Sequence, residues 1–187
     1  MITTRFDISA HIYSGPLPAR LSSSDETLPE LSPYLIRECL ILYPENHIYL
    51  RNFRYQSGQL IATVLPHEID YSTITVDYYT ATQIVMITSQ MAYVLGGCII
   101  QDPEYKDLGP ELYTAYLQLL NSGQLYYARM KMKLKRKTSN KLPVQTKMRV
   151  LKTIRKDTMN IMLSRLELGL SNAVVDVMLV MDRRRIS

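Results

Sequence analysis

Sixteen consecutive residues, Thr80 to Leu95, carry no charged side chain. Thr80 and Gln83 have the spacing of a capping box, in which the threonine hydroxyl takes the amide three residues on and the glutamine reaches back. Gly96-Gly97 supplies the expected stop. A helix apolar nearly all round, with only Thr, Ser, Gln and Tyr as polar members, has to be buried rather than laid on a surface. No apolar run approaches the ~20 residues of a membrane span. Something in the same chain must therefore wrap this helix.

The flanking segments supply the wrapping. Ser32-Pro33 places a capping residue before a proline and opens a short apolar helix over Tyr34 to Leu42. From Ile48 to Leu65, alternating residues flank the polar glycine turn Gln56-Ser57-Gly58-Gln59, which predicts a hairpin. Ile69 to Val76 is β-branched and alternating, and fits either a strand or an extended loop. A second helix is expected from Pro110 to Leu120. Strands follow over Tyr126 to Lys135, Val144 to Arg155, Thr158 to Leu168 and Ala173 to Asp182. In the first of these, Met130, Met132 and Leu134 alternate with Lys131, Lys133 and Lys135, a half-buried strand with one basic face. The expected architecture is α+β: a hotdog fold, with a curved antiparallel β-sheet wrapped around a long central α-helix. Residues 1–30 read as an irregular arm and 31–187 as one domain, which suits a chain of 187 residues. A single sheet layer leaves an edge and a flank to bury, so a homodimer or higher homo-oligomer is expected.

Charge is uneven. Arg129 to Lys156 holds 12 of the 22 Lys/Arg and none of the 17 Asp/Glu. A face this basic meets phosphates or an acidic protein, or is simply a solvated surface. Nucleic acid is disfavoured, because no aromatic side chain is interleaved with the run. No secretory leader is read at the start, and Cys39 and Cys98 sit in apolar surroundings, so the expected compartment is a reducing cytoplasm.

Nucleotide-loop, serine-elbow, C-x-x-C and H-E-x-x-H patterns are absent. His11, His47 and His67 are too scattered for ligands, and no metal is expected. The central helix lacks the carboxylate that many hotdog enzymes carry there, and offers Met86, Ser89 and Gln90. Its free N-terminal amides can instead polarise a thioester carbonyl, and Tyr78 and Thr80 lie at that end. Nine residues separate Ser89 from Thr80, which puts them on opposite sides of an ideal helix. The 14 tyrosines and 10 methionines suit an amphipathic core or an acyl pocket alike.

The stretch Tyr78 to Tyr93, YYTATQIVMITSQMAY, resembles the central helix of the FcoT-like fatty acyl thioesterases. Lys135 to Arg149, KRKTSNKLPVQTKMR, is similar to that family's basic turn entering a strand, and Ser32-Pro33-Tyr34 to its early Pro-Tyr. The resemblance covers roughly residues 30–185. It implies a hotdog enzyme on acyl thioesters of CoA or carrier protein, whose site uses tyrosine and asparagine rather than a carboxylate pair. On that correspondence Tyr34 matches the early tyrosine, the second falls at Tyr71 or Ser72, and Thr80 and Ser89 stand where the family has asparagines. The implied site is therefore Tyr34, Tyr71, Tyr78, Thr80 and Ser89. Lys131, Lys135, Arg136, Lys137 and Lys141 would meet the phosphates of CoA or an acidic acyl carrier protein, with no cofactor beyond the CoA or phosphopantetheine of the substrate. Thioester hydrolysis is the leading expectation. Conjugate addition of glycine or water to an α,β-unsaturated acyl thioester, and non-catalytic acyl-chain binding, are the rivals.

Overall fold

A computed structural model describes residues 7–8, 28–65, 76–108, 111–156 and 158–182. The wrapped helix is present. Strands β1 (Asp7–Ile8), β2 (Leu50–Gln56), β3 (Gln59–Val64), β4 (Tyr126–Leu134), β5 (Val144–Arg155), β6 (Met159–Leu168) and β7 (Ala173–Asp182) form one sheet. Their order is β1-β4-β7-β6-β5-β3-β2. Every pairing is antiparallel except β1 on β4. Helix α1 (Pro33–Cys39), the central helix α2 (Ala81–Gln101) and α3 (Glu111–Asn121) complete the fold. α2 packs on the inner face of β2, β3, β5, β6 and β7, and α1 and α3 close over its other flank. This is the hotdog arrangement.

Local chemistry explains the elements. Ser57 and Gly58 both have positive φ, 46° and 76°, the two-residue turn whose twist matches a hairpin. β4, β6 and β7 show the alternating burial of a one-sided sheet. Met130 and Met132 lie in the core while Lys131 and Lys133 stay in water. Inward-facing Met148, Leu166, Val175 and Val177 meet Ile87, Met91 and Leu95 of α2 in one core.

Two expectations change. α2 does not stop at Gly96-Gly97 but runs on to Gln101. The glycines are there for close approach: a Cβ on Gly97 would lie 2.6 Å from Cys39 Sγ, and one on Gly96 would lie 2.9 Å from the Tyr116 hydroxyl. They let α1 and α3 sit directly on the helix. At 21 residues with mean hydropathy 1.5, α2 is also long and apolar enough to cross a membrane by length and composition; 89% of that stretch is buried inside the fold.

The expected edge and flank are filled in part from within the chain. Leu31 N–H donates to Phe53 O at 2.9 Å and Tyr55 N–H to Pro29 O at 3.2 Å, so residues 29–31 cover the β2 edge. β1, drawn from the amino-terminal arm, pairs with β4 at Lys131 and Met132. Most of the arm and the stretch Ile69 to Thr75 lie outside the described residues.

Candidate functional site

The start of α2 is built by a sequence-local device and then covered by a distant one. Thr80 N–H donates to Gln83 Oε1 (3.0 Å), and Gln83 N–H donates to the Thr80 hydroxyl (3.3 Å), closing the capping box. The box uses only the oxygen of the Gln83 carboxamide. Its Nε2 is buried without a partner, on a residue 1% exposed. Ala81 and Thr82 stand in the first turn, where backbone amides have no intrahelical acceptor. Gln83 was legible in the sequence as a capping residue; its idle donor is a tertiary fact.

The β4–β5 connection lies over this end. Tyr79 N–H donates to Thr138 O (3.0 Å), Asn140 N–H to Asp77 O (3.4 Å), and Asn140 Nδ2 to Val76 O (2.8 Å). Lys137 Nζ stands 4.7 Å from the centre of the Tyr78 ring, a cation–π contact. Lys141 pairs with Asp77 at 2.9 Å, both side chains well exposed. The buried Thr138 hydroxyl is likewise unpartnered. Tyr78, Thr80, Lys137 and Lys141 are thus gathered at one helix end. Arg136 and Lys135 follow along the same turn, their amides on Asn172 O. Lys131 is exposed on β4, in register with Asp176.

Ser89, further along α2, belongs to a different cluster. Its backbone carbonyl accepts from the Tyr127 hydroxyl at 3.3 Å, and its side chain lies near the phenols of Tyr43 and Tyr127 and lowers the pKa of both against the larger effect of burial. Tyr93 stacks on Tyr127 (centroids 5.7 Å apart) and meets Tyr43 at 6.2 Å. Burial, first among the causes, raises the pKa of Tyr43, Tyr93 and Tyr127, so all three stay protonated hydrogen-bond donors. Tyr43 and Tyr127 were not singled out from the sequence. They approach Ser89 only through the packing of the post-α1 turn and β4 on α2, and no local pattern carries that.

Tyr34 does not join either group. It is 71% exposed on α1, where nearby Glu38 raises its pKa. The physical reason is that α1 buries Cys39 against Gly97 and turns Tyr34 to solvent. Tyr71 and Ser72 lie outside the described residues. Gln90 is structural: Nε2 donates to His47 O (2.7 Å) and Oε1 accepts from Tyr49 N–H (3.1 Å).

Comparison with protein-family models and with curated sequences gives no match. Among solved structures, the chain is similar in fold to a thioesterase superfamily protein from Shewanella loihica PV-4, with a TM-score of 0.47 and 11% identity over 76% of this chain and 96% of that one. A mutant thioesterase from Pseudomonas aeruginosa gives a TM-score of 0.47 and 8% identity over 81% and 95%. A protein from Helicobacter felis gives 0.47 and 14% over 87% and 98%.

Proposed function

We propose that this protein hydrolyses fatty acyl thioesters of CoA or of an acyl carrier protein, in the manner of the FcoT-like enzymes its central helix resembles. The observation that carries the reading is the idle, buried Gln83 Nε2 at the start of an uncharged helix whose lead-in, residues 76–79, is held by a basic turn. The thioester carbonyl oxygen lies at that end and takes hydrogen bonds from Gln83 Nε2 and the first-turn amides. Water adds to the carbonyl carbon and gives up a proton to solvent, the same donors hold the oxyanion, and the C–S bond breaks to leave the carboxylic acid, which ionises in solvent, and a thiolate that takes a proton from solvent. The alkyl chain follows the apolar flank of α2. Lys137 and Lys141 meet the substrate's phosphates. Their present contacts, a surface ion pair and a ring, are of the kind worth only about 0–1 kcal/mol, so both side chains can leave them for the substrate.

Conjugate addition of glycine ranks lower. It calls for a cation inside the pocket to hold the amino-acid carboxylate, and no lysine or arginine is buried among the described residues.

The test is Gln83→Glu. Glutamate keeps the oxygen that closes the capping box and loses the amide donor. With long-chain acyl-CoA and acyl carrier protein as substrates, wild type is expected to release free thiol. A carboxylate buried at this position costs stability, so folding of the variant is checked by circular dichroism, and the folded variant should lose about 10²–10³ in kcat, as for one oxyanion donor. Retained activity would remove Gln83 from the chemistry; no thiol release from either saturated substrate would overturn hydrolysis. Release, or glycine adduct formation, only with 2-enoyl thioesters would favour addition.

A further inference from the structure

The end of the sheet beyond Leu134 and Ala173 carries a feature that thioester chemistry does not use. Two loops meet there, the β4–β5 connection (135–143) and the β6–β7 turn (169–172). The amides of Lys135 and Arg136 donate to Asn172 O at 2.7 and 3.1 Å, and a Cβ on Gly169 would lie 3.0 Å from Thr138 Cγ2 and 3.2 Å from Val144 Cγ1. Each loop presents a leucine to solvent: Leu142 is 69% exposed and Leu170 39%. Leu170 has φ 55° and sits between Gly169 and Ser171, at 55° and 64°. A left-handed backbone suits glycine, asparagine or aspartate, and strains a branched aliphatic residue. Leu170 is no part of the hydrophobic core, so the fold gains little from a leucine there. One exposed leucine is ordinary; a strained one beside a second calls for a reason.

The surroundings are basic. Lys133, Lys135, Arg136, Lys137, Lys141 and Lys147 stand on the β4–β5 connection or on the strand ends beside it, with Asp77 and Glu167 as the acids among the described residues there. Both acids are engaged: Asp77 pairs with Lys141 at 2.9 Å, and Glu167 accepts from the Ser171 hydroxyl at 2.7 Å. Cations set around exposed leucines fit a partner that is negative on its surface and hydrocarbon just beneath it. A free phosphate uses the charge and leaves the leucines in water. A folded acidic protein has to offer a shaped pocket to each leucine, and these two come from separate hairpin tips. The headgroup layer of a bilayer takes apolar side chains at any spacing, and each Lys or Arg near an anionic leaflet adds roughly fivefold in binding.

We propose that this end of the sheet docks on an anionic lipid surface, with Leu142 and Leu170 entering the headgroup layer and the surrounding Lys and Arg side chains meeting lipid phosphates. The lead-in to α2 is tied to the same end through Tyr79 N–H on Thr138 O, so the start of that helix stands beside the lipid. Lipid binding of this kind does not depend on the thioester reading.

The test is co-sedimentation of the full chain at low salt with phosphatidylcholine vesicles, with and without phosphatidylglycerol. Pelleting is expected with the anionic vesicles only, and should fall as salt is raised. Leu142→Ser combined with Leu170→Asn should weaken vesicle binding by about tenfold or more, and leave unchanged the binding of soluble polyglutamate, which has the charge without the hydrocarbon. Asparagine accepts the left-handed backbone, so Leu170→Asn should melt at or above the wild-type Tm, which also checks folding. Lys133→Glu combined with Lys135→Glu should weaken vesicles and polyglutamate alike by at least about tenfold. Three results would overturn the proposal. They are no pelleting with anionic vesicles at low salt, equal pelleting with phosphatidylcholine alone, and vesicle binding that ignores the leucine pair, which would make the patch a face for an acidic protein. A Tm for Leu170→Asn well below wild type would overturn the strain at that turn.

Discussion

Replacing Gly97 by alanine tests how the central helix is held. The new Cβ would stand 2.6 Å from Cys39 Sγ, whereas its next contacts, Tyr113 at 3.7 Å and Tyr116 at 3.8 Å, are ordinary. The sulfur must therefore retreat by about 0.8 Å to reach van der Waals distance, on a residue with no exposed surface. Overpacking of this kind costs about 1–3 kcal/mol. Alanine recovers about 1 kcal/mol of helix propensity, so the single variant should lose about 0–2 kcal/mol. Cys39→Ala alone removes one buried heavy atom and should lose about 0.5–1.5 kcal/mol, as comparable truncations do. In the double variant the clash has no partner, and only the propensity gain and the truncation cost remain. Urea unfolding of the four proteins gives the coupling directly. We expect the double variant to be more stable than the sum of the singles by at least about 1 kcal/mol, or roughly 2–4 °C in Tm for a chain of this size. Additivity within about 0.5 kcal/mol would refute the view that Gly97 is kept for the approach of Cys39.

Gln90→Leu should destabilise by about 1–3 kcal/mol, because it removes the partner of the buried Tyr49 amide, with a smaller loss at the carbonyl of the exposed His47; chemical denaturation measures it. Ser164, buried at 1% exposure with an unpartnered hydroxyl, should tolerate alanine with a change under about 1 kcal/mol or a small gain, read the same way. Alkaline pH should unfold the protein. Burial pushes the Tyr79 phenol up to about 12 and also raises Tyr43 and Tyr127. The unfolded chain, with phenols near 10, then releases protons that the folded one keeps. That stability is intact below pH 10 and is lost as pH rises toward 12; a Tm unchanged between pH 9 and 11 would refute it. Glutamate at both Lys137 and Lys141 should weaken binding of CoA itself by tenfold or more at low salt, measured calorimetrically, and an unchanged affinity would leave those lysines as clamps on Tyr78 and Asp77 only.

Elements carried by local patterns were legible in the sequence. The hairpin at Ser57-Gly58 follows from two adjacent residues that accept positive φ, and β4 from its Met/Lys alternation. α2 followed from the absence of charge, which is a statement about burial as much as about helicity. Its far end was misread because a double glycine looks the same whether it ends a helix or admits a neighbour. The neighbours, Cys39 and Tyr116, come from remote segments. The site divided in the same way. Thr80 and Gln83 were visible as a cap, but Tyr43 and Tyr127 reach Ser89 only by tertiary packing. Nothing in the local pattern marks Asn160, whose carboxamide is buried in the folded core without a partner. Lys137 and Lys141 were expected to face a substrate, and in the free protein they hold Tyr78 and Asp77.

The order of synthesis gives α2 one more consequence. Of the strands it touches, β2 and β3 precede it, while β5, β6 and β7 are translated after it. Eighty-one residues separate Gln101 from Asp182, the end of the last covering strand, roughly 4–16 s of elongation at 5–20 residues per second. Through that interval a segment greasy enough for a lipid bilayer has left the ribosome without most of its cover. The nascent chain is thus a natural client for holdase chaperones, and for mistaken capture by the membrane-insertion machinery.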